Sequence, residues 1–398
     1  MTETHLSPTI QATPLVKMLT ARTQPELIEY RGVLTPARLD AAEQETEALA
    51  HGAALYDLGW KRRVAVRGED RFRWLSGMVT NTVNDLFPNT GAWNFVLNAQ
   101  GHILGDVTVW RGAEEMAPVQ RGLAASAADP LRGTPFAGAS GLELEINACQ
   151  LEKLLTHLDR FIIMDDVELV VLNQEVAGQP APEAVFGLTG PQANDVLERV
   201  GLPTFSLPMM GANVEWNGLN LRVVRNHGVL APRYEFWVSI AGAEKFIKYL
   251  RAAGAVAVGA EVLDAYRIAE GIPAYGIDIA ERDLPQETSQ MRALHFNKGC
   301  YQGQEIVERI HARGNVRRHL RPIELTGPLP TAGTELTLAA GGAAGAITSA
   351  ATLSLTGGAR SFGLAMMRAE AELGEQEFSY TVGEATGTAR ILATPPTL

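Results

Sequence analysis

The sequence predicts an α+β protein of three parts, two related strand–helix lobes followed by a small β-barrel or sandwich. A chain of 398 residues is too long for one hydrophobic core, because domains of roughly 100–200 residues are usual. From about Arg321, short strands and many glycines replace the helix signals. A faint repeat places a glycine between a predicted strand and a predicted helix twice, in Val66-Gly68-Leu75 and in Leu188-Gly190-Leu197.

Turn residues and periodicity predict the elements of the N-terminal extension and the first lobe. Thr35 as N-cap, Pro36 at the first helical position and Gly52 as the stop predict a helix over 36–51. The other predicted elements are a strand over 63–67, a helix after Gly68 with Phe72, Leu75 and Met78 on one face, two strands within 94–110 joined at Gln100-Gly101, a helix over 150–161 and a strand over 167–172.

These elements divide the chain into four segments. They are an N-terminal extension and helix (1–52), a first α+β lobe (53–180), a second α+β lobe (181–320) and a C-terminal β-barrel (321–398). Residues 111–141 are rich in Ala, Gly and Pro and are predicted to be an insertion without chemistry.

Composition excludes several classes of function. The formal net charge is −11 and the pI is near 5.3, so no sequence-wide positive field attracts nucleic acid or anionic lipid. Cys149 and Cys300 are too few for a disulfide framework, a four-cysteine zinc site or a fully protein-ligated iron–sulfur cluster, and no metal site is expected. Because no apolar run of about 18 residues occurs, we expect a cytoplasmic protein without a membrane partner.

A lone thiol lies in Lys298-Gly299-Cys300-Tyr301-Gln302-Gly303-Gln304-Glu305, before a helix predicted to continue over 306–311 and to stop at Gly314. Unpaired amides and the dipole at a helix N-terminus favour a thiolate, and Lys298 adds a positive charge nearby. Cys300 is therefore a candidate nucleophile, redox thiol or single metal ligand. A buried structural cysteine in a tight turn is an equal alternative.

Three further polar residues are candidate ligand contacts. Asp106 lies in a predicted strand, where aspartate is disfavoured unless a partner or ligand compensates. Glu235 lies between aromatic residues, and a carboxylate in such a pocket suits a flat ring with adjacent N–H donors. Arg267, in a predicted helix, suits a carboxylate or a planar ligand. The structural alternatives are a strand edge for Asp106, a solvent-facing position for Glu235, and a weak surface ion pair with Glu270 for Arg267.

Two stretches, 61–73 and 292–321, are strongly basic within this acidic chain. Such runs are usually solvated faces. Alternatively, the two stretches converge on one cleft, where they would hold the anionic tail of a ligand, or RNA.

The chain resembles the YgfZ-type folate-binding proteins, relatives of the T protein, which is the aminomethyltransferase of the glycine cleavage system. The specific element is KGCYQGQE at 298–305, preceded by RIAEGIP at 267–273 and GIDI at 276–279. The wider pattern covers roughly residues 50 to 390, with ALYDL at 54–58, residues 98–106, and GLA at 363–365.

The resemblance implies a three-lobed ring around a central channel that holds tetrahydrofolate. Asp106 would face the reactive folate nitrogens, Glu235 would bind the pterin edge, and the basic stretches would suit the glutamate tail. Further cofactor contacts would be Arg267, Lys298 and Tyr301. The implied role is support of iron–sulfur cluster assembly or repair in client proteins, by a route that can include one-carbon transfer. The catalytic candidates are Asp106 and Cys300.

Two alternatives stay open. One is a folate-dependent aminomethyltransferase, although T proteins usually have paired acids where this chain has Gly105-Asp106, a Gly-Glu-Asp-Gly segment where it has residues 226–230, and no KGCY motif. A single carboxylate can still manage proton transfer. The other is an RNA-binding accessory protein that uses residues 309–321, which lack the interleaved aromatic residues that stack on bases.

Overall fold

The structure, a computed structural model, describes residues 11–19, 25–112, 141–173, 182–314, 316–373 and 377–398. Most of the predicted insertion at 111–141 lies outside these residues. The helices are α1 (Val16–Leu19), α2 (Ala42–Ala50), α3 (Arg71–Met78), α4 (Ala148–Asp159), α5 (Ala193–Arg199), α6 (Ile240–Ala252), α7 (Ala260–Ala269), α8 (Gln304–Arg313) and α9 (Ala369–Glu372), with 3-10 turns at Pro285–Thr288 and Met291–Ala293.

The strands of the first two-thirds of the chain are β1 (Leu27–Tyr30), β2 (Val33–Pro36), β3 (Ala54–Asp57), β4 (Lys61–Arg67), β5 (Thr90–Leu97), β6 (Ile103–Arg111), β7 (Leu142–Asn147), β8 (Glu168–Val171), β9 (Glu183–Thr189), β10 (Met210–Trp216), β11 (Leu219–Asn226), β12 (Arg233–Ser239) and β13 (Val256–Val258). Those of the C-terminal region are β14 (Arg318–Thr326), β15 (Glu335–Thr337), β16 (Ala343–Leu355), β17 (Gly358–Arg368), β18 (Glu377–Val382) and β19 (Ala385–Ile391).

Within the described residues, eleven strands form one sheet whose halves meet where Thr90 of β5 pairs with Met210 of β10. Outward from this junction the order is β5-β6-β7-β4-β8 on one side and β10-β11-β12-β9-β3-β13 on the other. Apart from β3, the two halves therefore repeat one topology. The prediction of two related α+β lobes is confirmed.

Each lobe turns from strand to helix at one glycine of the repeat. Gly68, between β4 and α3, has φ +99°, and Gly190, between β9 and α5, has φ +124°. A Cβ atom at Gly68 would lie 1.9 Å from the carbonyl oxygen of Asp166. The repeat marks a steric requirement, since only glycine adopts such a backbone at little cost.

The helices of each lobe bury their apolar faces against one side of the sheet. Leu75 of α3 and Leu154 of α4 belong to the core of the first lobe. Leu197 of α5 and Phe246 of α6 belong to the core of the second. Burial of each such side chain contributes about 1.5–3 kcal/mol, so the helices hold their own lobe and leave the other side of the sheet for the site.

Strands β14 to β19 close into a barrel in the order β14-β17-β16-β15-β18-β19, which confirms the predicted C-terminal barrel. The barrel packs on α7, where Leu263 and Tyr266 share a buried cluster with Phe362 and Leu364 of β17. Helix α7 thus joins the barrel to the sheet.

The predicted helix start at Thr35 and Pro36 is wrong, because these residues end strand β2 and α2 begins only at Ala42. The Thr35 hydroxyl donates to the buried carboxylate of Asp57, with 2.7 Å between the oxygens. Proline is tolerated at a helix start and at a strand end alike, and this tertiary contact favours the strand. The other elements predicted for this lobe are confirmed with shifted bounds.

We expect Gly68→Ala to lower the free energy of unfolding by about 2 kcal/mol or more, because the new Cβ atom combines a left-handed backbone with a clash. Gly77→Ala in α3 is the matched control, since nothing lies within 4 Å of a Cβ atom there. Urea denaturation followed by circular dichroism measures both variants. Equal midpoints for the two variants would contradict the steric reading of the repeat.

Candidate functional site

A cavity of about 370 Å³ lies on the side of the sheet that faces away from the helical cores. Three of the residues predicted from the sequence line it: Asp106 on β6, Glu235 on β12 and Arg267 on α7. Aromatic side chains of both lobes and of the N-terminal segment contribute to the wall, namely Tyr30, Tyr56, Trp60 and Trp93. The structure thus brings together candidates that lie far apart in the sequence.

Glu235 forms a buried part of the cavity wall, with only 2% of its surface exposed. Its Oε1 accepts hydrogen bonds from Lys61 Nζ at 2.5 Å and from Asn226 Nδ2 at 2.8 Å. Its Oε2 is buried and has no hydrogen-bond partner in the described part of the chain. The solvent-facing alternative for Glu235 is therefore wrong, and the second oxygen of this buried carboxylate is unsatisfied within the described residues.

Lys61 links Glu235 to a second buried carboxylate, that of Glu145 on β7. Burial works against the charge of Lys61, but the two carboxylates outweigh it and raise the pKa of the ammonium. Burial and the neighbouring Glu235 raise the pKa of Glu145. The Trp110 Nε1 donates to Glu145 Oε2 at 3.2 Å and fixes the far side of this triad.

Next to this triad, Arg63 on β4 bonds to Glu143 on β7 and to Glu183 on β9, so it joins the two lobes. Arg222 on β11 donates to the same Glu143 at 2.6 Å. Burial favours the neutral form of Glu143, but the two guanidinium groups outweigh it and lower its pKa to about 2. These ion pairs hold the strands that carry the wall of the cavity.

Asp106 lies on β6 of the first lobe, whereas Glu235 lies on the second, and three hydrogen bonds hold Asp106 in place. Its carboxylate accepts from Trp93 Nε1 and from Gln150 Nε2, both at 2.9 Å, and its backbone N–H donates to Gln150 Oε1 at 3.0 Å. The Cβ atom of a larger residue at Gly105 would lie 2.6 Å from Gln150 Oε1. A second acid at position 105 would therefore displace the end of the Gln150 side chain, which is bonded to Asp106.

Arg292 is a cavity residue that the sequence indicated only as a member of a basic stretch. Its guanidinium lies over the Trp93 ring, 4.8 Å from the centroid. The Nε and Nη1 atoms are buried and have no hydrogen-bond partner within the described ranges. Burial lowers its pKa to about 10, against the attraction of Asp106, so the side chain stays a cation at neutral pH.

Arg267 is buried rather than paired with Glu270 at the surface, so that structural alternative is wrong. Its Nε donates to Asp264 at 2.8 Å and its Nη1 bonds to Asp278. The same Asp278 accepts hydrogen bonds from two hydroxyl groups of the barrel, those of Thr348 and Ser349. Arg267 therefore fixes α7 to the barrel while one side of it lines the cavity.

Cys300 is exposed and lies in a surface depression with Asp70, Arg73 and Gly77, not in the cavity with Asp106. The alternative of a buried structural cysteine is wrong for this reason. Helix α8 begins at Gln304, and Gly303 before it has φ +80°, so residues 301–303 separate the thiol from the helix. The structure does not bring the two catalytic candidates into one pocket.

Lys298 and Tyr301, predicted as cofactor contacts, are not among the residues that line the cavity. The Lys298 ammonium donates to the carbonyl oxygens of Val79 at 2.7 Å and Asn81 at 2.6 Å. Tyr301 is buried in an apolar cluster with Phe95 of β5. Both residues pack the KGCY segment onto the first lobe, so the geometry favours a structural role over a cofactor contact.

Only part of each basic stretch reaches the cavity. Lys61 from one and Arg292 from the other reach the cavity. In the second stretch, Arg318 is paired with Asp283 and Glu287, and Arg321 is paired with Glu372. These ion pairs neutralise Arg318 and Arg321, which reduces the cationic surface that this stretch offers to an RNA.

Two families match parts of the chain. Residues 22–129 match the GCVT N-terminal domain, and residues 317–397 match the CAF17 C-terminal beta-barrel domain. An aminomethyltransferase of Rubrobacter xylanophilus is 26% identical over 398 residues, which cover 97% of this chain and 94% of that protein. A putative chloroplastic transferase of Arabidopsis thaliana is 23% identical over 297 residues, which cover 73% of this chain and 60% of that protein.

The fold matches that of the glycine cleavage system aminomethyltransferase T from Bartonella henselae, with a TM-score of 0.77 and 18% identity, over 98% of this chain and 99% of that one. The chain is therefore related to the aminomethyltransferases and has their α+β fold with a closed C-terminal barrel. Among the described residues, no helix is long and apolar enough to cross a membrane, and no group of three or more His, Cys, Asp and Glu is placed to hold a metal ion.

The buried Lys298 ammonium is expected to make the stability of the protein depend on pH. Burial lowers the pKa of Lys298 to about 7 from its ordinary 10.5. Between these values the unfolded chain binds more protons at this position than the folded chain, so the contribution of Lys298 to stability rises with pH. We expect the melting temperature of the wild type, relative to that of Lys298→Met, to rise by about 3 °C or more from pH 7 to pH 9.5.

Differential scanning calorimetry at both pH values measures this difference. The control is Lys248→Met, since Lys248 is a surface lysine paired with Glu244. A gap between wild type and Lys298→Met that stays constant with pH would show that the ammonium is not desolvated.

Proposed function

We propose that the cavity binds tetrahydrofolate, or a one-carbon derivative of it, through the pterin ring. The observation that carries the proposal is the buried and unpartnered Oε2 of Glu235. A buried carboxylate oxygen without a hydrogen bond costs free energy, about 1–3 kcal/mol or more for a charged group, which a ligand with N–H donors recovers. The pterin ring has such donors at N3 and at the 2-amino group.

The rest of the wall fits the other parts of this ligand. The partly exposed ring of Trp93 offers apolar surface to a flat heterocycle. The unpaired guanidinium atoms of Arg292 suit a carboxylate of the glutamate tail. Tetrahydrofolate carries a one-carbon unit on two nitrogens, N5 of the ring and N10 of the bridge to the benzoyl group. Asp106, fixed by Trp93 and Gln150, is the group in the cavity that would hold or move a proton next to those nitrogens.

We further propose that the protein supports iron–sulfur enzymes, and that Cys300 serves this role outside the cavity. The KGCYQGQE resemblance and the exposure of the Cys300 thiol support this assignment. The separation of Cys300 from the cavity favours two steps at two places over one shared active centre. The aminomethyltransferase alternative has less support, because this chain has Gly105-Asp106 where T proteins usually have paired acids.

Glu235→Ala tests folate binding. We expect saturable binding of tetrahydrofolate to the wild type and binding about tenfold to a hundredfold weaker in the variant, because a buried charged hydrogen bond is worth about 1.5–3 kcal/mol. Anaerobic calorimetric titration measures both. The control is Glu244→Ala on the surface of α6. Absence of binding to the wild type, or equal binding by the two proteins, would refute the folate site.

Cys300→Ala tests the cellular role. We expect that in a strain lacking the gene this variant restores less than about a tenth of iron–sulfur enzyme activity, the loss usual for a residue that takes part in chemistry. Cys149→Ala is the matched control, because Cys149 is the other exposed free cysteine of the described chain. Full activity with Cys300→Ala would remove the thiol from the proposal and leave the folate site untouched.

A further inference from the structure

We propose that Lys61, together with Glu235, recognises a cyclic amide edge on the ligand, an N–H beside a C=O, and so selects 4-oxo pterins over 4-amino pterins. This inference rests on the proposed folate function and assigns the chemical feature that the same site reads. The feature that carries it is a donor and an acceptor side by side in the cavity wall. Lys61 Nζ lies 2.5 Å from Glu235 Oε1, and both residues line the cavity.

Each of these two side chains has hydrogen-bonding capacity left. An ammonium group has three N–H donors, and in the described part of the chain Lys61 uses two of them, on Glu145 and Glu235. Glu235 uses only Oε1 and leaves the buried Oε2 without a partner. One donor and one acceptor therefore remain, and a ligand edge that presents the complementary acceptor and donor satisfies both.

The pattern is fixed in space and in charge. Lys61 is held between two carboxylates, Glu145 is tied to Trp110, and Glu235 is tied to Asn226. The two carboxylates, which outweigh burial, raise the pKa of Lys61, so the amine stays protonated and cannot accept a hydrogen bond. A preorganised donor of this kind gives specificity, because it cannot become an acceptor for a ligand that presents a donor.

The two ring types differ in the pattern they present. A 4-oxo pterin offers the N3–H donor to Glu235 and the O4 acceptor to Lys61. A 2,4-diamino ring in its neutral form offers a bare N3 to the carboxylate and an amino donor to the ammonium. An acceptor then faces an acceptor at N3, and a donor faces a donor at position 4. Sites built around buried hydrogen bonds reject such analogues strongly.

The probes are tetrahydrofolate and tetrahydroaminopterin, which differ only in the 4-oxo and 4-amino groups. The variant is Lys61→Met with Glu145→Gln. It removes one positive and one negative buried charge, so Glu235 keeps its carboxylate and the wall keeps its net charge. Lys153→Met with Glu281→Gln is the matched control, because it changes an exposed ion pair in the same way. Anaerobic calorimetry gives the two dissociation constants for each protein.

We expect wild type and control to bind tetrahydrofolate at least about tenfold more tightly than tetrahydroaminopterin, and the Lys61 variant to lower this ratio at least about threefold, since the contact of N3 with Glu235 remains. A merely structural role of Lys61 would weaken both ligands alike and leave the ratio unchanged. An unchanged ratio with folate bound overturns the inference while the folate proposal stands. If the wild type binds neither probe, the folate proposal fails and this inference fails with it.

Discussion

Arg63 holds the two lobes together across one side of the sheet, and the candidate site depends on that contact. It bonds to Glu143 within its own lobe and to Glu183 of the other, and Arg222 binds Glu143 from a third strand. Removing one partner of such a buried pair leaves an uncompensated charge and costs about 3–5 kcal/mol. The network therefore fixes the relative position of the strands that carry Lys61 and Glu235.

The same network explains why the wall of the cavity is polar. Three basic groups, Lys61, Arg63 and Arg222, face four carboxylates, those of Glu143, Glu145, Glu183 and Glu235. The carboxylates outnumber the basic groups by one, and Glu235 Oε2 has no hydrogen-bond partner in the described part of the chain. The unpartnered oxygen on which the folate proposal rests therefore belongs to the network that joins the lobes.

The cavity and the cysteine segment are distinct places connected by the chain. Lys298 clamps the segment that carries Cys300 onto the carbonyl groups of Val79 and Asn81, and Asn81 also lines the cavity. Arg267 likewise connects the cavity to another part of the fold, because it lines the cavity and bonds to Asp278, which is tied to the barrel. Both side chains hold neighbouring segments of the fold in place through hydrogen bonds and ion pairs.

The two lobes, the barrel and the strand-to-helix glycines follow from the sequence by itself, because they rest on local chemistry. Local chemistry also singled out Asp106 and Glu235, which the structure places at one cavity. Gly68 and Gly190 mark turns that other residues cannot adopt, and short glycine-rich strands predict a barrel. Only the tertiary structure decided which polar faces are buried. In β7, Glu143 and Glu145 alternate with leucines, a pattern typical of a strand with one side in water. The second lobe covers that side. Long-range packing of this kind also made Arg292 a cavity residue and left Cys300 outside. Such packing has no local signature in the sequence.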